Sequence, residues 1–239
     1  MKSVSASSLI EYLNSSPPRR NAIIKTAIFP PVFLLDRYGV MYRAARRAMS
    51  IRSIEPIRAA HKIVDKRIAR NQFQKSRLAN TLESLMGAEH LLSDVIATEL
   101  GLAKPSPLDA FFELAELAVR VSPTSIVLRR NHAGILEIGA LKLHCSKSFK
   151  LSANAAADYG ALLHYYVDEK LKPMGPANPD LCMILDVYAR ERFTAPKNFK
   201  MRRKTITEAC QEISDRWESV ASRELPRTAD ASNTRRARH

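Results

Sequence analysis

The sequence predicts an α+β protein in which a basic, helical N-terminal region precedes a small mixed β-sheet domain with flanking helices. Three observations lead there. Up to Leu85, apolar residues recur at steps of three and four, the spacing that places them on one face of a helix. From Ser125 onward, short runs of branched apolar residues alternate with turn-forming residues, the pattern of strands. The third observation is charge: the 239 residues include 38 basic and 24 acidic side chains, a net charge of +14. Residues 1–80 hold 16 basic against 4 acidic, residues 81–190 hold 10 against 13, and residues 191–239 hold 12 against 7. A near-neutral middle therefore lies between basic ends. Hydrophobic residues make up 46% of the chain, enough for the core of one large domain or two small ones.

Taken in order, Ser8 and Glu11 have capping-box spacing and open a short helix carrying Leu9, Ile10, Tyr12 and Leu13. Proline is tolerated in a first helical turn, so Pro17 and Pro18 start a second helix through Arg19, Arg20, Ile23, Ile24 and Lys25. After Pro30 and Pro31, the positions of Phe33, Leu34, Tyr38, Met41, Tyr42, Ala45 and Met49 predict a third helix from Val32 to about Ser50. The seam Ile57, His61, Val64, Ile68, Asn71, Lys75, Leu78, Leu82 and Leu85 predicts one long helix from Pro56 to Met86, stopped by Gly87. A shorter helix follows from Ala88 to Gly101. Pro105, Ser106 and Pro107 make a linker, and the boundary is placed there: a basic helical region over 1–103 and an α+β domain over 108–221.

In the second region a helix from Leu108 to Val121 leads into a hairpin, with strands Ser125–Arg129 and Ile135–Cys145 around a turn at Asn131–Gly134. Ser152 caps a helix through Tyr159, Leu163, Tyr166, Val167 and Leu171. Leu181–Tyr188 reads as a strand with a short partner at Arg192–Ala195. Thr205 and Glu208 repeat the capping-box spacing and open a last helix with Ile206, Cys210, Ile213, Trp217 and Val220 on its apolar stripe. Residues 222–239 are polar and without periodicity, a disordered basic tail whose Arg235, Arg236 and Arg238 could tether phosphate.

A cationic excess of this size points to a polyanionic partner. Lys197, Lys200, Arg202, Arg203 and Lys204 put five cations in eight residues around Phe199, just before the predicted helix start. Cations neutralise phosphates, the ring offers a stacking surface, and free N–H groups at a helix start favour an anion. Arg43, Arg46 and Arg47 fall on one helical face and form a second patch. Either run would serve equally as a solvated surface.

Cys145, Cys182 and Cys210 are far apart and never in a C-x-x-C pair, against both a disulfide framework and a zinc knuckle. No cofactor, metal ligand or catalytic residue is expected. Gly134 and Gly139 lack the Gly-Lys-Ser/Thr continuation of a phosphate loop, and there is no G-x-S-x-G elbow or H-E-x-x-H pair. No apolar run approaches the roughly 18 to 20 residues that cross a bilayer. The start lacks an apolar block followed by a small-residue cleavage site, so the chain is expected in the cytoplasm with no membrane partner. Serine, arginine and few acids up to Phe33 leave an organelle transit peptide as the alternative.

The order helix, strand, strand, helix, strand from Leu108 to Tyr188 resembles the common core of the restriction-endonuclease-like nucleases. The resemblance implies an acidic residue on one strand and an acidic-x-lysine triplet on the next, holding a metal that activates water. Lys142 would be the lysine. The position two before it is Ala140, the preceding strand has no acid, and only Glu137 is near. Alternation puts Lys142 and His144 on one strand face, opposite Leu141, Leu143 and Cys145. The expected function is a non-enzymatic nucleic-acid-binding or accessory protein. The alternatives are a protein-interaction or regulatory module that binds a partner through the helical N-terminal region, and a nuclease-like domain without a complete metal site.

Overall fold

In the computed structural model, which describes residues 1–30 and 38–224, strand β1 (Ser3–Ser5) leads into helices α1 (Ala6–Leu13), α2 (Pro17–Ile28), α3 (Gly39–Ile51), α4 (Glu55–Asp65) and α5 (Gln72–Ala97). Strands β2 (Gly101–Ala103), β3 (Phe111–Leu114), β4 (Leu117–Arg120), β5 (Ser125–Arg130) and β6 (Leu136–His144) follow. Helix α6 (Ala153–Lys170), strands β7 (Met183–Asp186) and β8 (Glu191–Thr194) and helix α7 (Phe199–Glu224) complete the chain. The expected α+β architecture is present. The predicted helix start at Val32, Phe33 and Leu34 and the tail beyond Glu224 lie outside the described residues.

Five strands form a mixed sheet in the order β2-β5-β6-β7-β8. Side chains alternate across a strand, and both faces of this sheet are covered. Ile126, Ile138, Ala140 and Ile184 enter one core with α1, α2, α6, α7 and a small sheet of order β1-β4-β3. Val127, Leu141, Leu143, Met183 and Leu185 enter a second core under α3, α4 and α5. β6 and β7 are parallel, so the chain needs a crossover between them, and α6 supplies it on the first face. Among the described residues no helix is long and apolar enough to cross a membrane.

The expected boundary at Lys104–Pro107 separates no core. Leu9, Tyr12 and Ile24 pack with Leu162, Tyr166 and Ile213, while Met41, Leu85 and Leu92 pack with Leu141 and Met183. Strands also pair across it: β1 runs parallel to β4, and β2 antiparallel to β5. The change in composition marks where the chain passes from the helices α3, α4 and α5 to the strands.

Other expectations are corrected by local chemistry. Ser5, not Ser8, caps α1, its hydroxyl accepting the Ser8 N–H at 3.1 Å. The long helix is two: the Asn71 side chain accepts the Gln74 N–H at 2.9 Å and the Gln74 side chain accepts the Arg70 N–H at 2.8 Å, so the polar residues of the seam begin α5. Gly87 does not stop α5. A Cβ there would sit 2.0 Å from the Val187 carbonyl oxygen, so glycine serves close packing of the helix against the end of β7.

The predicted Leu108–Val121 helix is instead the β3–β4 hairpin. Phe112 and Leu114 are buried while Phe111 and Glu113 are exposed, a period of two. Its turn residues, Ala115 and Glu116, have φ of 48° and 60°, the left-handed conformations of a tight hairpin turn without the usual glycine or asparagine. Finally, α7 begins at Phe199, so Thr205 lies inside a helix, and residues 222–224, expected as part of the tail, continue it.

Candidate functional site

Of the five-cation segment after Pro196, Lys197 lies in the turn before α7 while Lys200, Arg202, Arg203 and Lys204 fall in its first turns, and helical spacing divides their side chains. Arg202 and Arg203 turn towards α6. The Arg202 guanidinium donates to the Asp158 carboxylate and, at 3.0 Å, to the Asn154 side-chain oxygen. Arg203 donates to Asp168 at 2.8 Å and to His164 Nδ1, and its guanidinium lies 4.5 Å from the Tyr165 ring centroid. Phe199 packs against His164 with ring centroids 4.2 Å apart, so one face of the expected stacking surface is already covered. Burial, reinforced by the Arg203 charge, pulls the His164 pKa down to about 4. The neutral ring then offers Nδ1 as an acceptor at pH 7. Two of the five cations thus clamp α7 to α6. Lys197, Lys200 and Lys204 are exposed, and Lys204 is 4.0 Å from Glu208.

Helix α3 buries Met41, Ala44, Ala45, Ala48 and Met49 in the second core and leaves Arg43, Arg46 and Arg47 exposed, as its periodicity requires. Arg43 meets Arg67 and Arg77 around a cleft of about 400 Å³ between α3, α4 and α5. Val40, Val64, Ile68 and Leu78 give it apolar walls, and Gln74 and Thr81 add polar groups. The surrounding segment 62–77 carries six cations, Lys62, Lys66, Arg67, Arg70, Lys75 and Arg77, against one acid, Asp65. Three large apolar side chains stand out from it: Ile63 is 59%, Ile68 91% and Phe73 66% exposed.

Sequence reasoning missed this region because the long-helix seam drew Ile68 inward. The local density of cations was the signal that could have found it. The two predicted basic patches are not brought together. α3 lies over one face of the five-stranded sheet and α7 over the other.

The nuclease-like features do not assemble into a site. The resemblance began with a helix that is the β3–β4 hairpin. Ala140 faces Ile126 across the ladder. Glu137 stands five residues along β6 from Lys142, about 17 Å at strand spacing. Its carboxylate accepts from Arg129 at 2.9 Å and Asn178 at 2.8 Å, and the Arg129 guanidinium holds it below the usual carboxylate range.

Lys142 donates to the Ser122 carbonyl at 2.7 Å, and burial, with the charges of Arg46 and Arg120 nearby, lowers its pKa to about 8. Burial pushes the Cys145 thiol up to about 12, which leaves it protonated and unreactive. His144 lies on the Lys142 side of the strand, edge-on to Tyr159, and its Nε2 is 2.8 Å from the Phe149 carbonyl, which makes Nε2 the protonated nitrogen. The Asp186 carboxylate is occupied by the backbone N–H groups of Leu151, Tyr188 and Ala189 at 3.1–3.2 Å. Among the described residues no three His, Cys, Asp or Glu side chains are grouped as a metal ion requires. No protein-family model matches the chain, and no curated protein matches it.

Proposed function

We propose that the protein is a non-enzymatic nucleic-acid-binding or accessory protein, acting in the cytoplasm, that grips phosphates with the face formed by α3, α4 and the start of α5. The observation that carries this proposal is the convergence on one cleft of Arg43 from α3, Arg67 from the α4–α5 connection and Arg77 from α5. Guanidinium groups suit phosphate because their planar fork can donate two parallel hydrogen bonds. Arg46 and Arg47 extend the patch along α3, and six cations against one acid surround its far side. Lys197, Lys200 and Lys204 add a smaller patch across the sheet. The free thiols of Cys145, Cys182 and Cys210 suit a reducing compartment.

Neutralised phosphates release counterions, so binding should fall steeply with salt, with a slope of about 0.7 to 0.9 per contact. Titration of the full chain with labelled oligonucleotides at two salt concentrations tests this. Replacing Arg46, Arg47 and Arg67 together by Ala should weaken binding to any sequence and flatten the salt slope. Replacing Lys197, Lys200 and Lys204 should do so less. Absence of binding by the wild type, or binding indifferent to salt, refutes the proposal. The exposure of Ile63, Ile68 and Phe73 favours a second reading, a protein-interaction module, which predicts salt-indifferent association.

A further inference from the structure

Resting on the nucleic-acid proposal above, we infer that the cleft between α3, α4 and α5 takes an unpaired base, so that the ligand is single-stranded nucleic acid. A duplex turns its phosphates outward and keeps its base faces stacked, so a surface that only follows a duplex backbone needs cations but no recessed apolar pocket. An unpaired nucleotide presents a flat apolar face, polar edges and a phosphate close together. The cleft is built for that combination. Val64, Ile68 and Leu78 supply apolar wall, Arg67 and Arg77 supply charge and flat guanidinium surfaces, and Gln74 supplies an amide. Its volume, about 400 Å³, lies at the small end of small-ligand sites, which run from about 300 to 1,000 Å³.

The rim extends the same chemistry. Phe73 lies one turn before Arg77 on the same face of α5 and is 66% exposed. Its ring is placed to stack on a neighbouring base, which is how non-specific single-strand binders hold successive nucleotides between cations. Ile68, 91% exposed at the mouth of the cleft, would cover the inserted base from the solvent side. A cationic tip with exposed apolar side chains also has the composition of a surface that docks on anionic lipid. The recessed cleft distinguishes the two, since insertion into a bilayer needs projecting side chains and no pocket.

The test compares a labelled single strand, the duplex of the same sequence and phosphatidylserine-containing vesicles, using wild type, Ile68→Ser/Phe73→Ser and Arg67→Ala/Arg77→Ala. Ile68 and Phe73 are exposed, so their replacement should leave the melting curve unchanged. Wild type should bind the single strand more tightly than the duplex. The serine variant should lose about fivefold to 150-fold on the single strand for each base unstacked and nothing on the duplex. The alanine variant should lose affinity for both.

If the serine variant loses equally on both, or on neither, or if wild type prefers duplex, the single-strand assignment is overturned while the phosphate proposal stands on the alanine variant. If wild type binds neither nucleic acid, the phosphate proposal itself falls. Vesicle capture of the wild type that the serine variant abolishes would instead assign the tip to a lipid surface and overturn the base-binding role of the cleft.

Discussion

Arg203 is the residue on which the sequence and the structure give opposite predictions. As a phosphate contact in a loop, it should be removable with little effect on folding, within about 0.5 kcal/mol. As a clamp between α7 and α6, it should not. Its side chain is only 16% exposed. Arg203→Ala leaves the buried His164 Nδ1 without its donor, a loss of about 1 to 3 kcal/mol for an unsatisfied buried acceptor. It also removes the guanidinium from the Tyr165 and Phe199 rings, worth about 0.5 to 1 kcal/mol each. The Asp168 partner is 44% exposed and can be rehydrated, so the ion pair itself adds little. The expected total is about 2 to 5 kcal/mol. With an unfolding entropy of about 2.1 cal/mol/K per residue over 239 residues, Tm should fall by about 4 to 10 °C. Differential scanning calorimetry at neutral pH measures it directly. An Arg203→Ala protein with wild-type Tm and reduced affinity for nucleic acid of every sequence would refute the clamp and restore the contact.

Gly87→Ala should be strongly destabilising, by more than the roughly 1–3 kcal/mol of ordinary overpacking, because the new Cβ would meet the Val187 carbonyl at 2.0 Å; in an unobstructed helix the same change stabilises, so the sign of the Tm shift decides. Asn71→Ala should cost about 1 kcal/mol and raise hydrogen exchange first in the opening turn of α5, whereas uniform loss of protection across the chain would contradict a local cap. The pKa of His164 is depressed from its ordinary 6.5 to about 4 and that of His144 is lowered by burial, so the unfolded chain takes up protons first. Stability should be intact above about pH 6.5 and decline as pH falls towards 4; His164→Gln should lessen the decline, and a Tm unchanged between pH 7 and 5 would show that neither imidazole is held neutral.

Much of the fold was legible because its signals are local. Pro17 and Pro18, Ser152, and the Asn131–Gly134 turn each specify an element through its own backbone chemistry, and α2, α6 and the β5–β6 hairpin appear where these residues put them. What failed depends on partners distant in sequence. Gly87 reads as a stop until Val187 is seen against it. Ala115 and Glu116 carry no turn signal, and their left-handed conformation joins β3 to β4, which in turn pairs with β1 more than a hundred residues away. The Arg202 and Arg203 ion pairs were invisible for the same reason, since Asp158 and Asp168 stand on a helix some forty residues earlier.

The charge distribution, read with these contacts, decides which basic region faces outward as charge. At the C-terminal end, acids of the near-neutral middle region are within reach, and Asp158 and Asp168 take up Arg202 and Arg203 in partly buried pairs. The N-terminal region has few acids of its own: residues 1–80 contain four for sixteen cations. Of these, Glu11 is engaged by Arg19, and Glu55 by Arg58, which also binds Glu89. The sheet separates α3, α4 and α5 from the α6 acids that neutralise part of α7. A region so short of acids of its own retains a net positive charge whatever its individual pairs, and one place gathers cations from different segments. That place is the cleft of Arg43, Arg67 and Arg77, which is why the binding experiment should be decided there and not at the more conspicuous run before Thr205.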